Sequence, residues 1–427
     1  MDFVSSQLQI FLQSVGAAWN AVWWIVVPAI ALVVFLDFWL IYVRSKFLKA
    51  VTWQLLEIKI PKNVLKTPKA MEQIFAAAHT PYSFGIKKFN KWFKGQVELW
   101  MSFEIMGRAG ESHFYLRLPS QFRNMMEAAI YSQYPEVEIT EAEDYVAEMP
   151  QTLPNKDIQI FGYDQILGKE NYYPILTYPA FEANVEEQRL DSIALLMEGM
   201  AKLKDEEQMW MQILVTPTGT DWGKEGEKAV NKILGIEEKK TTGGGLNFSL
   251  GVTLGEALTA PFQHPSMEPA KPQKSESQNL NLKALAATPI MKEVTEGIQR
   301  KISKLAFETT VRFLYLDRRE SFKGDNINSV TGFFRQFYTQ HMNFFRVNLP
   351  TLPIAKGFFK KTKIELKRHA LYTAYRIMRR LPKQSILNIE ELATIYHFPI
   401  AAVTTTELEK IASRKGSPPA SVPTIED

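Results

Sequence analysis

From Ala21 to Val43 the chain reads AVWWIVVPAIALVVFLDFWLIYV, 23 residues carrying one charge, where about 20 suffice to cross a hydrocarbon core of about 30 Å. Whatever follows must be compatible with hanging from a bilayer. Trp23 and Trp24 stand at one end of the run and Trp39 and Tyr42 near the other, where amphipathic rings sit at headgroup level. No Lys or Arg precedes the run, whereas Arg44, Lys46 and Lys49 follow it at once. The excess of positive charge places the C-terminal bulk in the cytoplasm and the N-terminus outside. A cleaved signal peptide would want a basic leading region and a shorter apolar core ending in small residues, and neither is present. Asp37 lies seven residues before Arg44 and can reach toward the interface, so it needs no ion-conducting role.

Beyond the span, strand and helix periodicities alternate. Gln54 to Ile60 reads as strand, Thr67 to His79 as helix, Gln96 to Gly107 and Glu111 to Pro119 as a hairpin, the stretch after Ser120 as helix, and Glu136 to Tyr145 as strand. That order, β-α-β-β-α-β, predicts a ferredoxin-like module. A second, less regular set follows: strand 157–166, helix 190–203, strand 207–217, helix 222–235, helix 291–304, strand 307–316 and helix 327–340. Between them, 236–279 is rich in Gly, Pro, Ser, Gln and Lys, as in a disordered, flexible insertion. The expected fold class is therefore α+β: a single N-terminal transmembrane helix, then two ferredoxin-like (βαββαβ) modules, the second split by that insertion. The corresponding divisions are an extracytoplasmic segment 1–20, the span 21–43, a first module 44–150, a second 151–350, a basic helical C-terminal region 351–413 and a disordered tail 414–427.

The residues that carry chemistry are mostly missing. With no cysteine there is no disulfide framework and no thiolate chemistry. The six histidines show no metal-ligand spacing, so no catalytic, cofactor-binding or metal residue is expected, and no cofactor. Gly219-Thr-Asp-Trp-Gly223-Lys224-Glu225 fails as a phosphate loop: its glycines are too close, and Glu225 stands where a hydroxyl is needed. The acidic run Glu136, Glu138, Glu141, Glu143 and Asp144 reads as a solvated strand edge rather than as paired catalytic carboxylates.

Two basic stretches remain. From Arg44 to Lys94 there are eleven Lys and Arg, which beside a bilayer favours anionic headgroups. From Lys356 to Lys383 ten basic residues accompany one acid, Glu365, interleaved with Phe358, Phe359, Tyr372 and Tyr375. Lys360, Lys361, Lys363, Arg376, Arg379 and Arg380 are candidate nucleic-acid or lipid contacts; a basic helix packed by its aromatic face is the plainer alternative.

The span followed by LLEIKIPKNVLKTPKAMEQIFAAAH and SFEIMGRAGESHFYLRLPSQFRNMMEAAIYSQYPEVEITEAEDY, then FETTVRFLYL, NFFRVN and most specifically LNIEELATIYHFP, ending at Pro399, resembles the N-terminal region of membrane-anchored type IV secretion and conjugative DNA-transfer ATPases. There is no Walker A or Walker B sequence, so that family's nucleotide site is carried over to no residue. The resemblance implies a non-enzymatic anchor and assembly subunit in a bacterial cytoplasmic membrane, oligomeric with its motor, which docks a separate P-loop ATPase. It puts the junction with that ATPase at Glu390, Glu391, Tyr396 and His397, in a short helix that Asn388 and Glu391 can open as a capping box. The alternative is a membrane-tethered nucleic-acid binder, most simply of DNA, using 356–383.

Overall fold

A computed structural model describes residues 2–61, 66–182, 191–235 and 288–400. The expected insertion and C-terminal tail lie outside the described residues. The first helix, α1, runs unbroken over Asp2–Lys49, so the backbone marks no separate segment before residue 21. Its stretch Trp19–Lys49 is 31 residues long, apolar enough to cross a membrane by length and composition, and its most apolar window has no buried residue.

The remaining elements build a mixed α/β fold on one antiparallel sheet. Strands β1 (Trp53–Lys59), β2 (Met101–Arg108), β3 (Glu111–Pro119) and β4 (Glu138–Glu141) lie in the order β4-β1-β3-β2. Strands β5 (Ile158–Leu167), β6 (Gln208–Pro217), β7 (Ala306–Arg318) and β8 (Phe345–Val347) continue it as β6-β7-β5-β8. The second half thus repeats the first in reverse across the sheet, and β2 pairs antiparallel with β6 from Met101↔Val215 to Arg108↔Gln208. A short β9 (Ser385–Asn388) pairs with the start of β7.

Helices α2 (Lys69–Ala78), α4 (Arg123–Gln133), α6 (Ala194–Ala201) and α9 (Ile327–Arg335) bury their apolar stripes in one common core on one face, with Phe103, Ile105, Met211, Ile213, Val311 and Phe313 beneath them. Between α2 and α4 stands the short α3 (Lys88–Phe93), and before α6 the one-turn α5 (Pro179–Glu182). Helices α7 (Gly223–Ile233) and α8 (Pro289–Ile302) occupy in the second half the place that the β2-β3 turn holds in the first. The opposite face is covered by α10 (Lys360–Arg376) and by Tyr145, Val146 and Leu153. Because both faces are covered, all ten residues of β6 are buried, and its sequence reads as a nearly continuous apolar run instead of an alternation.

Several expected boundaries move. The strand expected from Gln96 starts at Met101, where Trp100 is already turned inward against Trp53 at 5.3 Å. The one expected over 136–145 ends at Glu141, since Tyr145 leaves the edge to enter the second core. The helix expected over 327–340 stops at Arg335. The expected basic C-terminal region divides: α10 covers the sheet, and β9 with α11 (Ile389–Ile395) becomes part of it and of its core.

Candidate functional site

The junction between α1 and the sheet is short and braced. Only Ala50, Val51 and Thr52 separate the end of α1 from β1. The Trp39 indole Nε1 donates to the Trp92 carbonyl at 2.9 Å. Gly95, at φ +65°, lies so close to the Val43 carbonyl that a Cβ there would overlap it. Of the expected anchor residues, Trp23, Trp24, Tyr42, Lys46 and Lys49 are exposed along α1, while Trp39 and Arg44 are partly covered where α3 packs. Sequence reading missed α3 itself. Its signal was there, as Phe89 and Phe93 at i and i+4 between lysines.

A buried polar row crosses the second face. Asp164, Arg312, Gln212 and Glu104 are successive cross-strand partners on β5, β7, β6 and β2, and none is more than 1% exposed. Arg312 donates to Asp164 at 2.8 Å and to Gln212 at 3.3 Å, and Gln212 donates to Glu104 at 3.2 Å. Glu104 also accepts from Ser102 at 2.6 Å and from Tyr145 at 2.8 Å, whose hydroxyl lies 2.6 Å from that of Tyr375. Arg312 further donates to the Ala374 and Arg379 carbonyls, each at 3.0 Å. Ala374 lies in the last turn of α10, where carbonyls lack intrahelical partners, Arg379 lies just beyond it, and a cation there suits the helix dipole. Burial lifts the Asp164 carboxyl above its ordinary range, with Arg312 opposing the shift. The row therefore fixes where α10 sits, and every member has a partner.

The six basic residues singled out from sequence divide accordingly. Arg380 stacks 4.6 Å over Trp100 and donates to Thr216 at 3.3 Å; Arg376 donates to the Gln151 carbonyl at 2.7 Å. Arg380 is thereby committed within the fold, whereas Arg376 and Arg379 are exposed. Lys360, Lys361 and Lys363 lie exposed in the first turn of α10, beside Phe358 and Phe359, 90% and 79% exposed. Tyr372 and Tyr375, by contrast, are buried against the sheet.

The four residues expected at a junction with an ATPase are all inside: Glu390 is 4% exposed, and Glu391, Tyr396 and His397 are at 0%. As surface contacts they are ruled out by packing. The capping box forms, with Asn388 Oδ1 accepting from the Glu391 amide at 2.9 Å and Glu391 accepting from the Asn388 amide at 3.0 Å. Glu391 pairs in addition with Lys301 at 3.0 Å and accepts from the Ile175 amide at 2.9 Å. Burial pushes the Glu391 carboxyl up and the Lys301 ammonium down, each opposed by the other's charge. Lys304 bridges Glu390 at 2.6 Å and Glu72 at 3.2 Å. Glu390 and Glu391, with Glu293, Glu296, Arg300 and Lys301 of α8, line a cleft of about 350 Å³.

His397 and Asp191, with Ser192 next in sequence, hold residue types that suit nucleophilic catalysis. Their geometry does not suit it. One ring nitrogen of His397 faces Asp191 at 2.7 Å and the other faces the Ala393 carbonyl at 2.9 Å, so neither remains to take a proton from a nucleophile. The Ser192 hydroxyl donates instead to the Thr394 carbonyl at 2.8 Å. Gly219 to Lys224 forms a strand-to-helix turn in which Lys224 pairs with Asp221 at 2.7 Å. Among the described residues no cluster of His, Asp or Glu is arranged to hold a metal ion.

In comparisons with known proteins, a family model described as a domain of unknown function (DUF8128) matches residues 45–410, and no curated protein matches the chain.

Proposed function

This chain belongs to the DUF8128 family, and we propose that it is a non-enzymatic, membrane-anchored assembly subunit. In this reading two ferredoxin-like modules, joined edge to edge through β2 and β6, form a platform on the cytoplasmic side of a bacterial membrane. A separate P-loop ATPase of a type IV secretion-like, conjugative machine docks on it, and the two assemble as an oligomer. The observation that carries the proposal is the braced junction: a connection of three residues, the Trp39 to Trp92 hydrogen bond and the tight Gly95 approach. A tethered enzyme gains nothing from a fixed angle to its anchor. An assembly subunit does, because its partner must meet the membrane in one orientation.

The placement of Arg44, Lys46 and Lys49 after the apolar run supports the cytoplasmic assignment, and the sequence resemblance to secretion ATPases supports the class of partner. Because Glu390, Glu391, Tyr396 and His397 are buried, the docking surface in this reading is on exposed parts of the platform rather than at 387–398.

Co-purification from the native host in mild detergent tests the proposal, comparing the full chain with a variant lacking 401–427. Removing residues from Leu387 onward would cut through core strand β9 and delete α11, so it would not be informative. Recovery of a P-loop ATPase in stoichiometric amount supports the reading, and its absence under crosslinking conditions refutes it.

One observation favours nucleic-acid binding as a second reading. Three lysines in the first turn of α10 oppose the helix dipole and sit beside two exposed phenylalanines, the combination of charge and stacking surface that single strands use. Neutralising Lys360, Lys361 and Lys363 should then abolish a strongly salt-dependent affinity for single-stranded DNA. Affinity that is unchanged in that variant ends this reading.

A further inference from the structure

We propose that residues 84–95 form an interfacial hook, in which Phe84, Phe89 and Phe93 insert into the acyl-headgroup boundary of an anionic leaflet, giving the platform a second attachment beside its span. The inference rests on the reading of α1 as a membrane anchor. Its level in the bilayer follows from contacts already described. The hook is held to α1 at Trp39 and Val43, the last turns of the apolar run, immediately before Arg44. A segment fixed there stands where a spanning helix leaves the hydrocarbon.

The side chains suit that depth. Phe84 is 90% exposed, Phe89 61% and Phe93 63%, and the last two stack at 4.9 Å as one apolar ridge. Lys87, Lys88, Lys91 and Lys94 are exposed around them, and the segment FGIKKFNKWFKG contains no acidic residue. Water is a poor solvent for three exposed phenyl rings, and the surrounding ammonium groups would repel a basic partner. A leaflet with anionic headgroups satisfies both at once, its phosphates meeting the lysines while its acyl chains receive the rings. Duplex DNA, whose bases are already stacked on one another, would meet the lysines but leave the phenylalanine ridge wet.

The chain has no cysteine, so a single nitroxide label can be placed on the full protein without removing native residues. Labels at Phe89→Cys, Phe93→Cys, Leu32→Cys in mid-span and Tyr131→Cys on α4 are compared by oxygen and nickel-chelate accessibility. The protein is reconstituted in phosphatidylcholine bilayers with and without phosphatidylglycerol. The proposal expects labels 89 and 93 to sit about 5–10 Å below the phosphates, shallower than 32, with 131 in water. Changing the four lysines to Gln should move labels 89 and 93 toward water in the phosphatidylglycerol bilayers. If 89 and 93 match 131 while 32 is in hydrocarbon, the anchor stands and the hook is wrong. If 32 is also in water, the anchor reading fails and takes the hook with it.

Discussion

Replacing Glu391 with Gln changes no volume and removes one charge, which isolates the electrostatics of the buried pair. The Glu391 carboxylate serves three donors: Lys301 and the Asn388 amide on one oxygen, the Ile175 amide on the other. An amide has only one oxygen to offer them. Whichever way it turns, a buried donor faces the new NH₂, and Lys301 loses the carboxylate it pairs with in a site where both side chains are 0% exposed. Breaking a buried pair from one side costs about 3–5 kcal/mol, a fall in melting temperature on the order of 10 °C. Lys301→Met should cost less, about 1–3 kcal/mol. It leaves both backbone amides bonded to Glu391, and the Tyr173 carbonyl that Lys301 served keeps a second donor in Asn343. The assay is guanidinium unfolding of full-length protein in detergent, followed by near-ultraviolet circular dichroism, for both single variants and the double. The double variant should cost less than the sum of the singles. A Glu391→Gln effect below about 1 kcal/mol, against the range expected for a broken buried pair, or a Lys301→Met effect larger than that of Glu391→Gln, would refute the reasoning.

Arg312→Met should cost about 3–5 kcal/mol, because it strands Asp164 and removes the donor that ties the Ala374 and Arg379 carbonyls, at and just past the end of α10, to the sheet; hydrogen exchange should show that helix loosening before the sheet does. Gly162→Ala should cost about 1–3 kcal/mol, since its Cβ would overlap the Phe313 carbonyl and press on Leu371, and the neighbouring backbone cannot yield; equilibrium unfolding measures it. Asp191 supplies a pH test. Burial raises its carboxyl, but His397 and the Ile400 and Ile193 amides outweigh that and hold it below the ordinary range. Its contribution is therefore fully present above an unfolded value of about 4 and is lost as pH falls through the lower folded value. Asp191→Asn should be less stable than the parent at neutral pH, and the gap should shrink below about pH 4 in acid unfolding curves.

Local chemistry was legible in the sequence and distant pairing was not. Strand β3 was read to the residue at both ends because alternation, a glycine turn and a proline mark it. The capping box was read because both its partners lie within one helical turn. The polar row was invisible: Glu104, Gln212, Arg312 and Asp164 become neighbours only once the register of four strands is set. Glu390 and Glu391 looked like surface residues for the same reason, since Lys301 and Lys304 approach from the far side of 236–287. Glu136 to Tyr145 alternated convincingly, yet the pull of Glu104 on the Tyr145 hydroxyl takes its second half off the edge.

The sheet's architecture also limits how a partner can dock. A sheet recruits extended peptides through an open edge strand, and the outer strands here are β4 and β8, of four and three residues. Strand β4 presents Glu138 and Glu141 to solvent, and short charged edges resist strand addition. Among the described residues β8 flanks β5 only at 165–167, so 158–164 has a strand on one side only, and the two faces of the sheet are covered by helices and by Tyr145, Val146 and Leu153. A folded partner would therefore meet helices, loops and the open side of β5. In the proposed reading the braced junction commits one end of the platform to the membrane, and the surfaces left for docking are the outer sides of the helical layer, the open side of β5 and the exposed beginning of α10. Substitutions that interrupt assembly while leaving unfolding curves unchanged should concentrate there, with few among the buried residues of 387–398.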